Sequence, residues 1–557
     1  MSRRSAPLLL ALLACACGGD AGEGAAGVPS LVLITLDTTN PGALDVYGKD
    51  RGVTPNLATL ARDSQVFDAA RTVAPLTLPS HASMLTGLVP PRHGLRDNGL
   101  AALPDEAWTL AEAAQESGRA TAAFVSAAVI DAPFGTGQGF DTFDGPRDAG
   151  SSAGDYMVER QAPETVGRAL AWLGDVGSQA ERGFFLWVHF FDPHVPYEAP
   201  EEVVRATRGN LYLAEVAMID HAVGRLLAAL PPADECAVVV VADHGESLGR
   251  HGEPTHSLLV HDATMHVPLL VRWPGGRAAG TRSDAPVSVC DVFPTAMALL
   301  GLEDDLSHDG VDLRDPPGPG RRVYFESYAG YIGFGLAPLA GIADGNGKWI
   351  GGPGARLYAG NRPPLDPPNA TGAPEDGADV ARYREALEAI LARPTLDAAG
   401  LTEGAGHAMR ALGYAGAGAV EDDLPSVLDD TGRPSVEEGL ADALATYEAV
   451  TVAGVGRRRE AIELLQGLAR RNPRNAMAAQ MLGAFHLEEG DAAEAERVLA
   501  RLVDRGAAGP EALSLLGEVY LRLGRPADAI PHLERAADAR PGDPKIRERL
   551  ERARAAR

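Results

Sequence analysis

The sequence predicts an α/β protein: a doubly wound sheet, then a smaller α+β subdomain, then an all-α repeat segment. Three observations carry this. Short continuous apolar runs alternate with helical patterns over the first 270 residues, which is how strands buried on both faces of a parallel sheet read. The pattern loosens after Gly276. Near the end, glycines and alanines recur every 34 residues.

The runs are Leu31–Asp37, Ala120–Ser126, Phe184–Phe190, Ala237–Ala242 and Val267–Val271. Helical patterns at Val53–Ser64, Trp108–Ser117 and Leu211–Leu230 fall between them. Strand alternating with helix implies a doubly wound sheet. Such a sheet binds ligands at the carboxyl ends of its strands, where Asp37, His189 and Asp243 lie. Val287–Leu302 is expected to form one helix, and Val323–Ile350 several short strands and turns. Gly360–Ala378, rich in Pro, Gly, Asn and Asp, is expected to be a loop.

Gly456, Gly490 and Gly524 are 34 residues apart, as are Ala461, Ala495 and Ala529. This period matches the tetratricopeptide repeat, a helix-turn-helix unit whose small residues let two helices pack closely. Stacked repeats form a concave surface suited to a protein or peptide partner. A helical cap that only stabilises the preceding domain is the alternative.

The chain has 557 residues and a formal net charge of −26. From Ala441 onward 19 Lys+Arg face 18 Asp+Glu, so the preceding 440 residues hold about −27. An acidic body excludes nucleic acid as the expected partner, because phosphate binding needs clustered cations, and it is compatible with cation binding. Lysine occurs only at positions 49, 348 and 545. The first residues read as an export signal: Arg3-Arg4, then the apolar run Leu8–Leu13, too short to span a bilayer. Leu12-Leu-Ala-Cys15 resembles a bacterial lipobox, with Cys15 as the lipid attachment site and a flexible tether behind it. This implies a membrane-anchored lipoprotein, periplasmic or at the cell surface. Cys236 and Cys290 lie in apolar runs and are expected as buried free thiols. The expected divisions are 1–27 signal and tether, 28–420 catalytic domain, 421–440 linker and 441–557 repeats.

Asp37 ends a buried apolar run, and an unpaired buried carboxylate is costly. A divalent metal would compensate it. Asp243-His244, at another strand end, would add an oxygen and a nitrogen ligand. A helix N-cap is the plainer reading of Asp37 alone.

The segment Ala74-Pro-Leu-Thr-Leu-Pro-Ser-His-Ala-Ser-Met-Leu-Thr-Gly87 resembles the active-site signature of the sulfatases. Thr35-Leu-Asp-Thr38, His93-Gly94, Asp97-Asn-Gly99, Asp192-Pro-His-Val-Pro-Tyr197, Ala242-Asp-His-Gly-Glu246 and His266-Val-Pro-Leu-Leu270 match in order and separation. Together they resemble the sulfatase and phosphonate monoester hydrolase branch of the alkaline phosphatase superfamily. The resemblance implies an alkaline-phosphatase-like sheet and a metal site of Asp37, Thr77, Asp243 and His244. It implies Thr77 as nucleophile, His194 as a substrate-contact histidine able to act as general acid, and Asn98 as a substrate contact. His81 stands where sulfatases hold an arginine, and His256 near where the family often carries a lysine.

Two departures matter. Sulfatases oxidise a Cys or Ser at the Thr77 position to formylglycine, and the methyl on a threonine Cβ prevents that aldehyde. Thr38 replaces a second acid, so the ligand set mixes O and N donors and suits manganese, zinc or iron at least as well as calcium. A metal lowers the pKa of a bound hydroxyl, which would make Thr77 a usable nucleophile. The expected function is therefore metal-dependent cleavage of phosphate or phosphonate esters of small-molecule, glycan or lipid substrates. The alternatives are a sulfuric ester hydrolase working without formylglycine, a phosphoryl-group transferase, and a non-catalytic scaffold that uses the repeats.

Overall fold

In the computed structural model, the described residues are 30–48, 51–146, 159–360, 363–366, 378–396, 424–539 and 543–557. Cys15 and the expected signal and tether lie outside them.

An eight-stranded sheet forms the centre. Its strands are β1 (Ser30–Leu36), β2 (Gln65–Arg71), β3 (Ala120–Phe124), β4 (Thr142–Asp144), β5 (Phe184–Phe190), β6 (Cys236–Ala242), β7 (Leu269–Arg272) and β8 (Arg282–Ser288), in spatial order β4-β3-β5-β1-β6-β7-β2-β8. β1 runs parallel to both β5 and β6 and is buried at every position. A strand covered on both faces can be apolar without alternation, as Ser-Leu-Val-Leu-Ile-Thr-Leu is. β7 is antiparallel to β6 and β2, so the sheet is mixed. The expected doubly wound α/β class holds.

The segment expected as one helix, Val287–Leu302, is divided. β8 continues through Ser288, whose side chain accepts from the Cys290 N–H while Asp291 reaches back to the Ser288 N–H. A turn at Val289–Asp291 leads into a helix only at Val292–Leu299. The reciprocal cap stops the strand and starts the helix, a signal that the apolar pattern concealed. Cys236 and Cys290 are buried free thiols.

The smaller subdomain is an antiparallel sheet of β9 (Val323–Ser327), β10 (Leu339–Ala343), β11 (Gly347–Gly351) and β12 (Arg356–Ala359). Lys348 on β11 is fully buried, with Nζ 2.9 Å from both Asp262 and Asp366. Arg71 also contacts Asp262, at 3.2 Å. This network ties the two sheets together.

Seven helices follow, from Val436–Gly454 to Pro544–Ala555. Gly456, Gly490 and Gly524 have φ of 83°, 83° and 68° in the turns inside successive helix pairs. That left-handed conformation explains the 34-residue recurrence of glycine. Ala461, Ala495 and Ala529 are fully buried where paired helices meet. The Val436–Gly454 helix starts before the boundary expected at residue 441. Ser435 and Glu438 form its capping box. Its Val436, Leu440 and Ala443 belong to the same apolar core as the large sheet. Among the described residues, no helix is long and apolar enough to cross a membrane.

Candidate active site

Three chain segments converge at the carboxyl ends of β1, β5 and β6. Asp37 directly follows β1, and Asp243-His244 directly follow β6. Because the two strands pair in parallel register, with Leu36 opposite Ala242, their following acids emerge side by side. Thr77 opens the helix Thr77–Thr86, all of whose residues are buried. One oxygen or nitrogen from each of Asp37, Asp243 and His244 lies within 4.8 Å of the others.

These side chains fit a cation. Asp37 and Asp243 are fully buried, yet Oδ1 of Asp37 and Oδ2 of Asp243 have no hydrogen-bond partner. A buried carboxylate oxygen left bare costs free energy unless something positive meets it. Burial, opposed by His244, pushes Asp37 up to about 7. Asp243 is raised too, by burial and by the charge of Asp37. Burial works against the charge on His244, but Asp243 and Asp37 outweigh it and hold the imidazole above its usual value. His244 Nδ1 donates to the Gly245 carbonyl at 3.0 Å, which orients Nε2 toward the cluster. Nε2 lies 3.5 Å from both Thr77 Oγ1 and Asp243 Oδ2. The metal ligands expected from sequence are therefore together, with the Thr77 hydroxyl at their edge.

Thr38, where the resemblance expects a second acid, is oriented away. Its hydroxyl donates to the Pro193 carbonyl at 2.7 Å, and its N–H donates to Asp243 Oδ1 at 3.3 Å. It holds φ of 45°, unfavourable for a β-branched residue, so the surrounding contacts must outweigh strain of about 1–3 kcal/mol.

Asn98 binds the nucleophile helix. Its Oδ1 accepts the Leu78 N–H at 2.9 Å, while its Nδ2 has no partner. One end of the amide fixes the first helical turn, and the other is free for a substrate oxygen. His81 donates from Nδ1 to the Thr77 carbonyl at 2.8 Å, one turn back, and its Nε2 is unpartnered. Burial lowers its pKa to about 3, so it gives the site no fixed positive charge.

His194 and His256 extend the site. Their rings are 5.1 Å apart, and His256 lies 4.5 Å from His244. His194 Nδ1 donates to the Val195 carbonyl at 2.7 Å, leaving Nε2 unpartnered and bearing a lone pair. Burial and His256 hold its pKa well below the ordinary value. The His256 pKa is likewise depressed, by burial and by His244, so this residue is a neutral neighbour rather than the cationic contact expected. Glu246, raised to about 8 by burial, lies 3.4 Å from His256 Nδ1.

Two residues of this site were underweighted or missed in the sequence. His189 Nε2 lies 3.3 Å from Asp37 Oδ2, and its Nδ1 accepts the Ser126 N–H. It pairs in register with Thr35 and so projects from the same sheet face as Asp37. Only the strand register reveals that. Glu246 was visible in Asp-His-Gly-Glu, but nothing in the sequence brings it to His256.

Residues 29–302 match the sulfatase family, and residues 448–510 and 486–544 match tetratricopeptide repeats. The chain carries a sulfatase domain. By class it is an ester hydrolase of the alkaline phosphatase superfamily. Among curated relatives, N-acetylgalactosamine-6-sulfatase of Canis lupus familiaris is 28% identical over 355 residues, covering 53% of this chain and 67% of the relative. Ulvan-active sulfatase of Formosa agariphila is 28% identical over 335 residues, covering 52% and 64%. Among solved structures, phosphonate monoester hydrolase of Agrobacterium radiobacter aligns with a TM-score of 0.54 at 22% identity, covering 65% of this chain and 95% of that one. The Silicibacter pomeroyi phosphonate monoester hydrolase aligns with 0.51 at 19%, covering 65% and 94%. These structural likenesses bear out the expected fold.

Proposed function

We propose that this sulfatase-family domain is a metal-dependent hydrolase of phosphate diesters or phosphonate monoesters, with Thr77 as nucleophile. The observation that carries the reading is the Thr77 hydroxyl at the edge of a buried Asp37–Asp243–His244 cluster whose inner carboxylate oxygens lack partners. Asp37, Asp243 and His244 would hold the metal. When bound, it would supply positive charge that acidifies the hydroxyl and offsets charge on the phosphoryl oxygens.

The remaining chemistry belongs to the chain. The Leu78 N–H is already committed to Asn98, so the free Asn98 Nδ2 is the group left to orient a non-bridging oxygen. Thr77 Oγ1 forms a bond to phosphorus as the bond to the leaving oxygen breaks, and the departing alkoxide takes a proton from His194. Because Nδ1 of His194 is committed to a carbonyl, the transferable proton is the one on Nε2 of its imidazolium. Burial disfavours that form, and an anionic ester beside the ring favours it. Water then attacks the phosphothreonine. Neutral His194 accepts a proton from the water, and Thr77 is released.

Threonine separates this reading from sulfate ester cleavage, because it cannot provide the geminal diol with which formylglycine expels sulfate. The curated relatives are sulfatases, so sulfate esters are the second reading. Purified protein supplied with manganese, zinc, iron or calcium should be assayed on matched aryl phosphodiester, phosphonate monoester, phosphomonoester and sulfate substrates. Diester or phosphonate turnover that Thr77→Ala lowers by about 10⁴-fold or more, and Thr77→Ser retains, is expected. Sulfate turnover alone, undiminished in Thr77→Ala, would refute the nucleophile. We further propose export with a lipid anchor at Cys15, which palmitate labelling lost in Cys15→Ala would test, and a protein or peptide partner on the repeats.

A further inference from the structure

Beside the loop that carries His194 lies a group of acids that the hydrolysis described above does not use. Asp192 is two residues before His194, and both of its carboxylate oxygens accept the Ala162 N–H, at 2.9 and 2.8 Å. Glu215, on the helix Leu211–Leu227, is only 3% exposed. Its Oε1 accepts the Glu198 N–H, while its Oε2 has no partner. Glu159 and Glu198 are exposed, so the four acids run from solvent to a buried, unsatisfied carboxylate oxygen.

They act on one another without a neutralising cation. Burial pushes Glu159 up to about 8, helped by the charges of Asp37, Asp192 and Glu198. Glu215 is likewise raised to about 8, by burial and then by Asp192, Glu159 and Glu198. Arg160, next to Glu159, is turned away toward Asp144 and the Val125 carbonyl. A buried acid with a free oxygen among like charges has a strong deficit of positive charge.

The position relates this deficit to the reaction. Phe191, beside Asp192, stacks on His194 at 4.3 Å, and the His194 N–H donates to the Phe191 carbonyl at 3.1 Å. Tyr197, beside Glu198, meets Tyr212 edge-on at 5.8 Å, and the Tyr212 hydroxyl donates to the Thr38 carbonyl at 2.9 Å. The acids thus sit on the side of the site where His194 meets the leaving group. Tyr197 adds an aromatic face, which attracts organic cations.

We infer that Glu159, Asp192, Glu198 and Glu215 form a subsite for an alkylammonium group carried by the leaving alcohol of the substrate. This rests on the phosphodiester reading above and narrows it to esters that are anionic at phosphorus and cationic at the alcohol. A strongly hydrated metal ion is the less suitable occupant, because Asp192 has both oxygens on one backbone N–H and Glu159 and Glu198 lie at the surface.

The test compares methyl 2-(trimethylammonio)ethyl phosphate with its uncharged 3,3-dimethylbutyl isostere, following alcohol release by phosphorus NMR on the metal-loaded full chain. The charged ester is expected to have at least tenfold higher kcat/KM. Glu159→Gln and Glu215→Gln should each cut that ratio at least threefold. Glu201→Gln, a nearby exposed acid paired with Arg205, should leave it unchanged. Glu159 is exposed, so its variant keeps the test available if the buried Glu215→Gln does not fold. A wild-type ratio near one, or a ratio preserved in Glu159→Gln, overturns the subsite while leaving phosphodiester hydrolysis intact. If neither ester is turned over, the hydrolase reading fails. Calorimetry with 2-(trimethylammonio)ethanol alone then decides the subsite: binding weakened in Glu159→Gln supports it, and no binding overturns it. Loss of the preference on adding one equivalent of calcium would assign the acids to a metal and also overturn it.

Discussion

Removing the metal should destabilise the sulfatase domain, and by more at high pH than at low pH. The perturbation is chelation, and the magnitude follows from Asp37. Its carboxyl moves from an ordinary value of 3.8 to about 7, chiefly through burial. Below 3.8 the group is neutral in both the folded and unfolded chain and costs nothing. Between 3.8 and 7 the unfolded chain ionises while the fold keeps the proton, so the cost grows with pH. Above 7 both are ionised and the full cost of the buried charge is present. Three units at about 1.4 kcal/mol each give roughly 4 kcal/mol. From pH 5 to pH 8 the chelated protein should lose on the order of 2.5 kcal/mol through this one group. Asp243 is raised in the same direction and adds to the effect.

A bound dication compensates these charges, so the loaded protein should escape that loss. The assay is thermal unfolding at pH 5 and pH 8, with the preferred metal and with chelator. Glu246 and other buried acids titrate in both samples, so the difference between loaded and chelated protein isolates the cluster. That difference should widen by several degrees from pH 5 to pH 8, at about 2 °C per kcal/mol. An equal difference at the two pH values, or one unchanged by Asp37→Asn, would refute the assignment of Asp37 as a ligand that is raised when bare.

Three further changes test the supporting structure. Asn98→Ala removes the acceptor of the Leu78 N–H at the nucleophile helix; it should cost about 1–2 kcal/mol in urea unfolding and raise KM more than Asn98→Asp does. Lys348→Met leaves Asp262 and Asp366 buried without their shared ammonium; a loss of about 3–5 kcal/mol is expected, read as a lower unfolding midpoint. Leu440→Ala opens a cavity where the first repeat helix joins the core of the large sheet; it should cost about 2–4 kcal/mol and lower the melting of the catalytic domain as well as the repeats.

The central sheet was legible where strands are apolar throughout, as in β1, β5 and β6. It was not legible at β2, β4 and β8, whose Gln-Val-Phe-Asp-Ala-Ala-Arg, Thr-Phe-Asp and Arg-Ser-Asp-Ala-Pro-Val-Ser carry polar residues toward the margins of the sheet. Nor could an apolar run show that β7 lies antiparallel. At the site, Asp37, Asp243 and His244 could be read because each follows a buried strand. His189 was underrated because its facing depends on register with Thr35, a relation between distant segments. The repeat boundary was placed late because Gly and Ala periodicity marks the repeats, whereas the start of the first helix is marked by Ser435 and Glu438. That capping pair was present in the sequence within the stretch expected as a linker.

The departures from the sulfatase pattern act together on charge. Thr38 removes a carboxylate and ties its hydroxyl to Pro193. His81 and His256 stand where the resemblance expects fixed cations, and the fold holds both neutral. One negative charge is gone and two positive ones are missing, so the pocket is less positive by one than the family pattern would make it. A doubly charged phosphomonoester loses most from that change. A singly charged diester, phosphonate monoester or sulfate ester loses less. Threonine then separates the remaining candidates, because sulfate release in the family depends on an aldehyde that Thr77 cannot form. Charge and nucleophile, read from different side chains, thus converge on monoanionic phosphorus esters.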